Sequence, residues 1–198
     1  SGNPENFTLY VNPRGKVNTV EHQRWCHGEF TTPITFTTAN TDGTTTYSWI
    51  NNNPSIGLDA SGTGDVISSF QVYNTGIEPV TATITVTPTY ANGGISCQGE
   101  SESFTITVDP IPMVNSPSNV TICSGDQLNY TFVSDVAGTT YTWTATNTEG
   151  TVLGYSNGSG TTITDVLTND GILPNGVVVY QVQPIGPSPT FCEPPLFY

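Results

Sequence analysis

The chain has 198 residues, only 10% of them charged, and its three Lys or Arg against sixteen Asp or Glu leave a net charge of −13. A chain this acidic is repelled by phosphate backbones, which excludes nucleic acid as a partner. No run approaches the roughly 20 apolar residues of a membrane helix, so no membrane insertion is expected.

Sparse charge leaves Thr, Asn, Ser and Gly to face solvent, and regular apolar alternation with three Trp argues against disorder. Ser1-Gly2-Asn3-Pro4 is not a secretory leader, so any such leader has been removed or lies outside this sequence. Residues Phe7 to Pro13 read FTLYVNP, with apolar side chains at Phe7, Leu9 and Val11. That spacing is the period of a half-buried strand. The three cations, Arg14, Lys16 and Arg24, follow at the entrance to the first repeat. They are read as a basic end that meets an acidic surface on a neighbouring copy.

Strand signals bounded by Gly, Asn and Pro then fall near 16–20, 30–38, 45–50, 67–73, 79–87 and 102–108, with almost no helical pattern. The clearest is Val80 to Thr87, an unbroken alternation of apolar residues and Thr. Phe104 to Pro110 reads FTITVDP, a second copy of the N-terminal motif. Pro13, Val17, Asn18, Cys26 and Gly28 return as Pro110, Val114, Asn115, Cys123 and Gly125, at a constant offset of 97. The second repeat has counterpart strands near 113–122, 128–133, 140–145, 161–167 and 177–183. Tyr47-Ser48-Trp49 matches Tyr141-Thr142-Trp143, Gly62-Thr63-Gly64 matches Gly158-Ser159-Gly160, and Pro88 matches Pro184.

These signals predict an all-β fold of two tandem immunoglobulin-like β-sandwich domains. Residues 1–13 are an N-terminal strand, 14–110 the first domain and 111–198 the second. The second reaches Cys192 and stops at Tyr198, where its last strand is due. Trp49, Trp143, Tyr47 and Tyr141 are the expected core aromatics. Cysteines fall one pair per repeat, with no spacing that suggests zinc. Two disulfides within the repeats, Cys26–Cys97 and Cys123–Cys192, are expected, and with them an oxidising, extracellular location.

The run from Tyr47 to Leu58 (YSWINNNPSIGL), then ASGTG at 60–64 and PVTATITVTP at 79–88, resembles the PKD-like repeats of Bacteroidota surface proteins. The likeness is looser in the second repeat, where Thr144 to Tyr155 departs from the NPSIGL run. Those repeats stand in tandem in long secreted proteins linked to adhesion and gliding and exported by the type IX system. The resemblance implies a β-sandwich and a stalk or adhesive role at the cell surface, with no catalytic residues to carry over.

No enzyme is expected, since there is no phosphate loop and no repeated acid pair. No cofactor is expected. Asp59, Asp65, Asp165 and Asp170 are weak calcium candidates, since their loops lack the density of oxygen ligands that calcium takes. Tyr73, Tyr90 and Tyr155 are the aromatics that would stack on host or surface glycans in a carbohydrate-binding module.

The expected function is a structural subunit of an extracellular, fimbria-like filament. Phe7, Leu9 and Val11 form a donor strand that completes the second domain of another copy, antiparallel to the acceptor strand at Val178, Tyr180 and Val182. The alternative is that the chain is an out-of-frame segment of a long tandem-repeat adhesin or stalk.

Overall fold

A computed structural model describes residues 4–171 and 175–194. The described residues are all-β, 43% strand with almost no helix, and the chain divides into two compact units. The first unit comprises residues 1–73 and 80–108, and the second 74–79 and 109–198.

The strands of the first unit are β1 (Gln23–Cys26), β2 (Ile34–Thr35), β3 (Thr44–Asn51), β4 (Ser61–Thr63), β5 (Val66–Ile67), β6 (Val80–Asn92), β7 (Ile95–Gln98) and β8 (Glu102–Asp109). One sheet runs β1-β8-β6-β3-β4 with β7 beside β6, and β2 pairs with β5 in a second, smaller sheet. Alternation explains the long strand β6. Ala82, Ile84 and Val86 point inward and are fully buried, while Thr81, Thr85 and Thr87 point outward. Those three bond across to Thr107, Ser103 and Ser101, cross-strand pairs that support the sheet on its wet face. Pro88, which has no N–H to donate, falls opposite the gap between β7 and β8, where no amide is needed.

The core of this unit gathers Ile34, Phe36, Tyr47, Trp49, Ile67 and Val72 around the inner faces of β6 and β8. Phe104, Ile106 and Val108 of β8 are each 0% exposed. Gly62 closes the floor beneath Trp49: a Cβ there would lie 2.3 Å from the indole.

The second unit contains β9 (Tyr130–Thr131), β10 (Thr140–Glu149), β11 (Val152–Leu153), β12 (Gly158–Gly160), β13 (Thr162–Ile163), β14 (Thr168–Asn169) and β15 (Val177–Ile185). Its pairings copy those of the first. Tyr141 faces Pro184 and Trp143 faces Val182, as Tyr47 faces Pro88 and Trp49 faces Val86. Ile163 faces Tyr130 as Ile67 faces Ile34. Gly158 sits under Trp143 as Gly62 sits under Trp49. Loop hydrogen bonds repeat as well, Phe36 N–H to the Asp65 carbonyl and Phe132 N–H to that of Thr161. Leu128, Phe132, Tyr141, Trp143 and Ile163 form the core, with Phe132 stacked on Tyr141 at 4.8 Å.

The structure departs from the expected strands in particular places. No strand forms at 16–20 or 113–122, and 30–38 and 128–133 shrink to two residues each. β1, β4, β7, β11, β12 and β14 were not expected as strands, since each is only two to four residues long, too short to show alternation.

Candidate functional site: an unpartnered strand edge and a free strand segment

In the first unit β6 lies between β3 and β8. Its counterpart β15 pairs with β10 on one side, and among the described residues its other side has no strand. The side chains record the difference. Ala82, Ile84 and Val86 are fully buried, whereas Val178, Tyr180 and Val182 at the matching positions are only half-buried.

A second element is affected. In the first unit β1 is held by β8. Its counterpart, Val120 to Cys123, forms no strand, and Val120 is exposed. Without a neighbour to pair with, that segment has nothing to satisfy its backbone in a ladder. Among the described residues the second unit therefore presents an open edge over a partly covered core, the arrangement that invites an added strand.

The segment Phe7 to Val11 is the copy of β8 at the other end of the sequence. It makes no strand in its own chain, and its apolar side chains stand free: Phe7 is 89% exposed, Leu9 73% and Val11 82%. The tie nearest to it is Asn12, whose side-chain amide donates to the Asn92 carbonyl at 2.8 Å. Arg14 and Lys16 lie close by at the end of the unit where β3 begins. Arg14 donates to the Gln98 carbonyl at 3.2 Å, and the Lys16 amide donates to Asn40 Oδ1 at 2.7 Å. Arg24 lies apart from them, on β1.

Tyr180 on the open edge anchors a polar cluster. Its hydroxyl donates to Asp165 Oδ2 at 2.7 Å, and Ser156 donates to the same carboxylate from its N–H at 2.9 Å and its hydroxyl at 2.8 Å. Burial works against ionising Asp165, but the hydrogen bonds from Tyr180 and Ser156 prevail and hold its pKa below the ordinary 3.8. Burial first, and then the bond to Asp165 and its charge, push the Tyr180 hydroxyl well above its usual range. Asp165 is thus engaged in fixing Tyr180, while Asp59, Asp65 and Asp170 are exposed. Among the described residues no group of three or more His, Cys, Asp or Glu is placed to hold a metal ion.

Of the aromatics considered for glycan stacking, Tyr90 is a correction. It is buried, with its hydroxyl donating to the Thr41 carbonyl at 2.7 Å, and offers no face to a sugar. Tyr73 and Tyr155 are partly exposed, and Tyr73 stands beside His27. Trp49, Trp143, Tyr47 and Tyr141 are all buried in their cores. Burial raises the pKa of both Tyr47 and Tyr141, against the bonds from Thr38 and Ser134.

The expected cysteine pairs do not form. Cys97 and Cys123 are free thiols, whereas Cys26 and Cys192 are disulfide-bonded. The reason is the direction of the strands. Call the end of each unit where its central strand (β3 or β10) begins the head, and the end where it finishes the tail. Cys97 faces Tyr90 beside Thr45 at the first head, whereas Cys26 adjoins the loop carrying Val72, beyond the other end of β3. Cys192 bonds to Gly186, just past the residue that faces Thr140, at the second head. Cys123 adjoins Leu167 and β14 at the second tail. A strand of eight to ten residues separates each expected pair, roughly 25–35 Å at about 3.3 Å per residue. A disulfide needs Cα atoms within about 7 Å.

Among the described residues no helix is long and apolar enough to cross a membrane. In a comparison with curated proteins, none matches the chain. Residues 120–194, most of the second repeat, match the family described as PKD-like domain, an immunoglobulin-type fold whose members are generally non-catalytic.

Proposed function

We propose that the chain is a structural subunit built of two tandem immunoglobulin-like domains that joins to copies of itself by strand addition, making an extracellular filament. The observation that carries this is the open edge of β15, with Val178, Tyr180 and Val182 half-covered and the Val120–Cys123 segment unformed beside it. The ligand that edge is shaped for is a copy of β8, and Phe7 to Val11 is such a copy.

The register follows from the first unit. There Phe104 faces Ile84, Ile106 faces Ala82 and Glu102 faces Val86, antiparallel. Carried over, Phe7 faces Tyr180, Leu9 faces Val178 and Glu5 faces Val182. Phe7, Leu9 and Val11 turn to the core, and Thr8 and Tyr10 turn outward. Each copy supplies a strand from one unit and an edge on the other, so the join is heterologous and open-ended, the geometry of a fibre. An extracellular setting accords with the disulfide.

The test is expression of residues 1–198 with and without residues 1–12, imaged by negative-stain electron microscopy and sized by light scattering. Fibres from the full chain and none from the deletion are expected, with a peptide of residues 6–12 raising the melting temperature of the deleted protein. Fibres from the deletion variant sink the proposal.

A second reading is favoured by the PKD-like match: the same edge is filled by an adjoining stretch of a longer tandem-repeat adhesin or stalk. It predicts a monomeric 198-residue chain that still binds the 6–12 peptide.

A further inference from the structure

We propose that Tyr10 of the donor strand packs on Val177 and Val179 on the outward face of the join, so that the β15 edge selects the N-terminal strand of another copy over a strand of the β8 type, an inference that rests on the strand-addition reading above. The two repeats differ on the face of the sheet that turns away from the core. In the first unit that face is polar on both strands. β6 alternates, with Thr81 and Thr83 beside the buried Ala82 and Ile84. β8 sets Thr107 against Thr81, their hydroxyls bonded at 2.9 Å. An antiparallel sheet with one wet face alternates in this way.

The second unit breaks the pattern. Its β15 begins Val177-Val178-Val179-Tyr180, apolar on both faces. Val178 and Tyr180 take the inward positions, so Val177 and Val179 stand outward, and both are exposed. Across β10 they face polar residues, Glu149 and Thr146.

The donor strand departs from β8 at the matching place. FTLYV differs from FTITV at two positions, Leu9 for Ile106 and Tyr10 for Thr107. The first exchange swaps one inward aliphatic for its isomer. The second puts an aromatic ring where β8 has a hydroxyl, and in its own chain that ring is exposed. In the first unit Thr107 faces Thr81 and Thr105 faces Thr83. Carried to the join, Tyr10 faces Val177 directly and Val179 on the diagonal, both within reach of an aromatic side chain. A Thr–Thr pair thus becomes an aromatic–valine cluster, changed on both strands at once. Tyrosine suits the position, because its ring covers the valines while its hydroxyl stays in water. A strand with Thr here, as in β8, leaves both valines uncovered.

The full chain is compared with Tyr10→Thr, with Val177→Thr plus Val179→Thr, and with all three changes together, by sedimentation velocity across a concentration series. Val-to-Thr changes at exposed strand positions keep the β-branch and so the fold of the second unit. Tyr10→Thr and the valine pair should each raise the critical concentration for assembly about 5-fold, the size of a strong cross-strand pair. The triple variant restores the Thr-rich face of the first unit, so its loss should not exceed that of either parent, where independent sites would multiply to about 25-fold. A peptide of residues 6–12 should block assembly of the full chain at about 5-fold lower concentration than the same peptide carrying Tyr10→Thr. Leu9→Ala is the inward control. Losses that multiply in the triple variant, or no effect of Tyr10→Thr where Leu9→Ala does weaken assembly, overturn the outward contact and leave strand addition standing. A full chain that does not assemble, or one that Leu9→Ala leaves unchanged as well, overturns strand addition and the contact with it.

Discussion

Replacing Leu9 by Ala separates an inward-facing donor side chain from an outward one. In the first unit its counterpart Ile106 is 0% exposed, facing Ala82 across the sheet. If Leu9 takes the same position against Val178, truncating it is a core Leu-to-Ala change, which costs at least about 2–3 kcal/mol. At 1.4 kcal/mol per factor of ten, each join weakens by about 30- to 150-fold. Thr8→Ala alters the outward face and should stay within about 0.5 kcal/mol, roughly a factor of two. Neither change should shift the melting of the first unit, because Leu9 is 73% exposed in its own chain. Sedimentation velocity across a concentration series reads the critical concentration for assembly of each variant. Equal effects of Leu9→Ala and Thr8→Ala, or no effect of either, would refute the inward register of the donor strand.

Gly62→Ala and Gly158→Ala should each destabilise their own unit by about 1–3 kcal/mol in urea titration, since the new methyl would lie 2.3 and 2.6 Å from the indoles of Trp49 and Trp143. Trp49→Ala and Trp143→Ala should cost about 3–5 kcal/mol each, read by the loss of the corresponding unfolding transition. The Asp165–Tyr180 pair sets a pH window for the second unit. Asp165, with a lowered pKa, stabilises the fold above 3.8 and loses that contribution as pH falls through its folded value. Tyr180, with a raised pKa, contributes fully below its ordinary 10.0 and loses its contribution as pH rises beyond. Thermal melts from pH 2 to 11 should show both limbs, and Asp165→Asn should flatten the acid one.

The repeat frame is written in local signals along the chain. Period-two alternation marks β3, β6, β8, β10 and β15, and a conserved spacing of Trp, Gly and Pro marks the positions that pack together. The donor segment was legible for the same reason, as FTLYV repeats FTITV. The edge strands β1, β4 and β12 were not, since such strands gain their order from a partner and carry little alternation of their own. β1 makes the point: its counterpart Val120 to Cys123 stays unstructured where no β8 lies beside it. The cysteines failed differently. Nearly equal spacings of 71 and 69 residues show that the pairs repeat, but spacing says nothing about which end of a sandwich a residue reaches. That depends on how many strands the chain traverses in between, and each traverse carries a thiol about 25–35 Å to the opposite end. The path of the chain through the folded unit is what sets Cys26 and Cys97 at opposite ends and leaves Cys97 a free thiol.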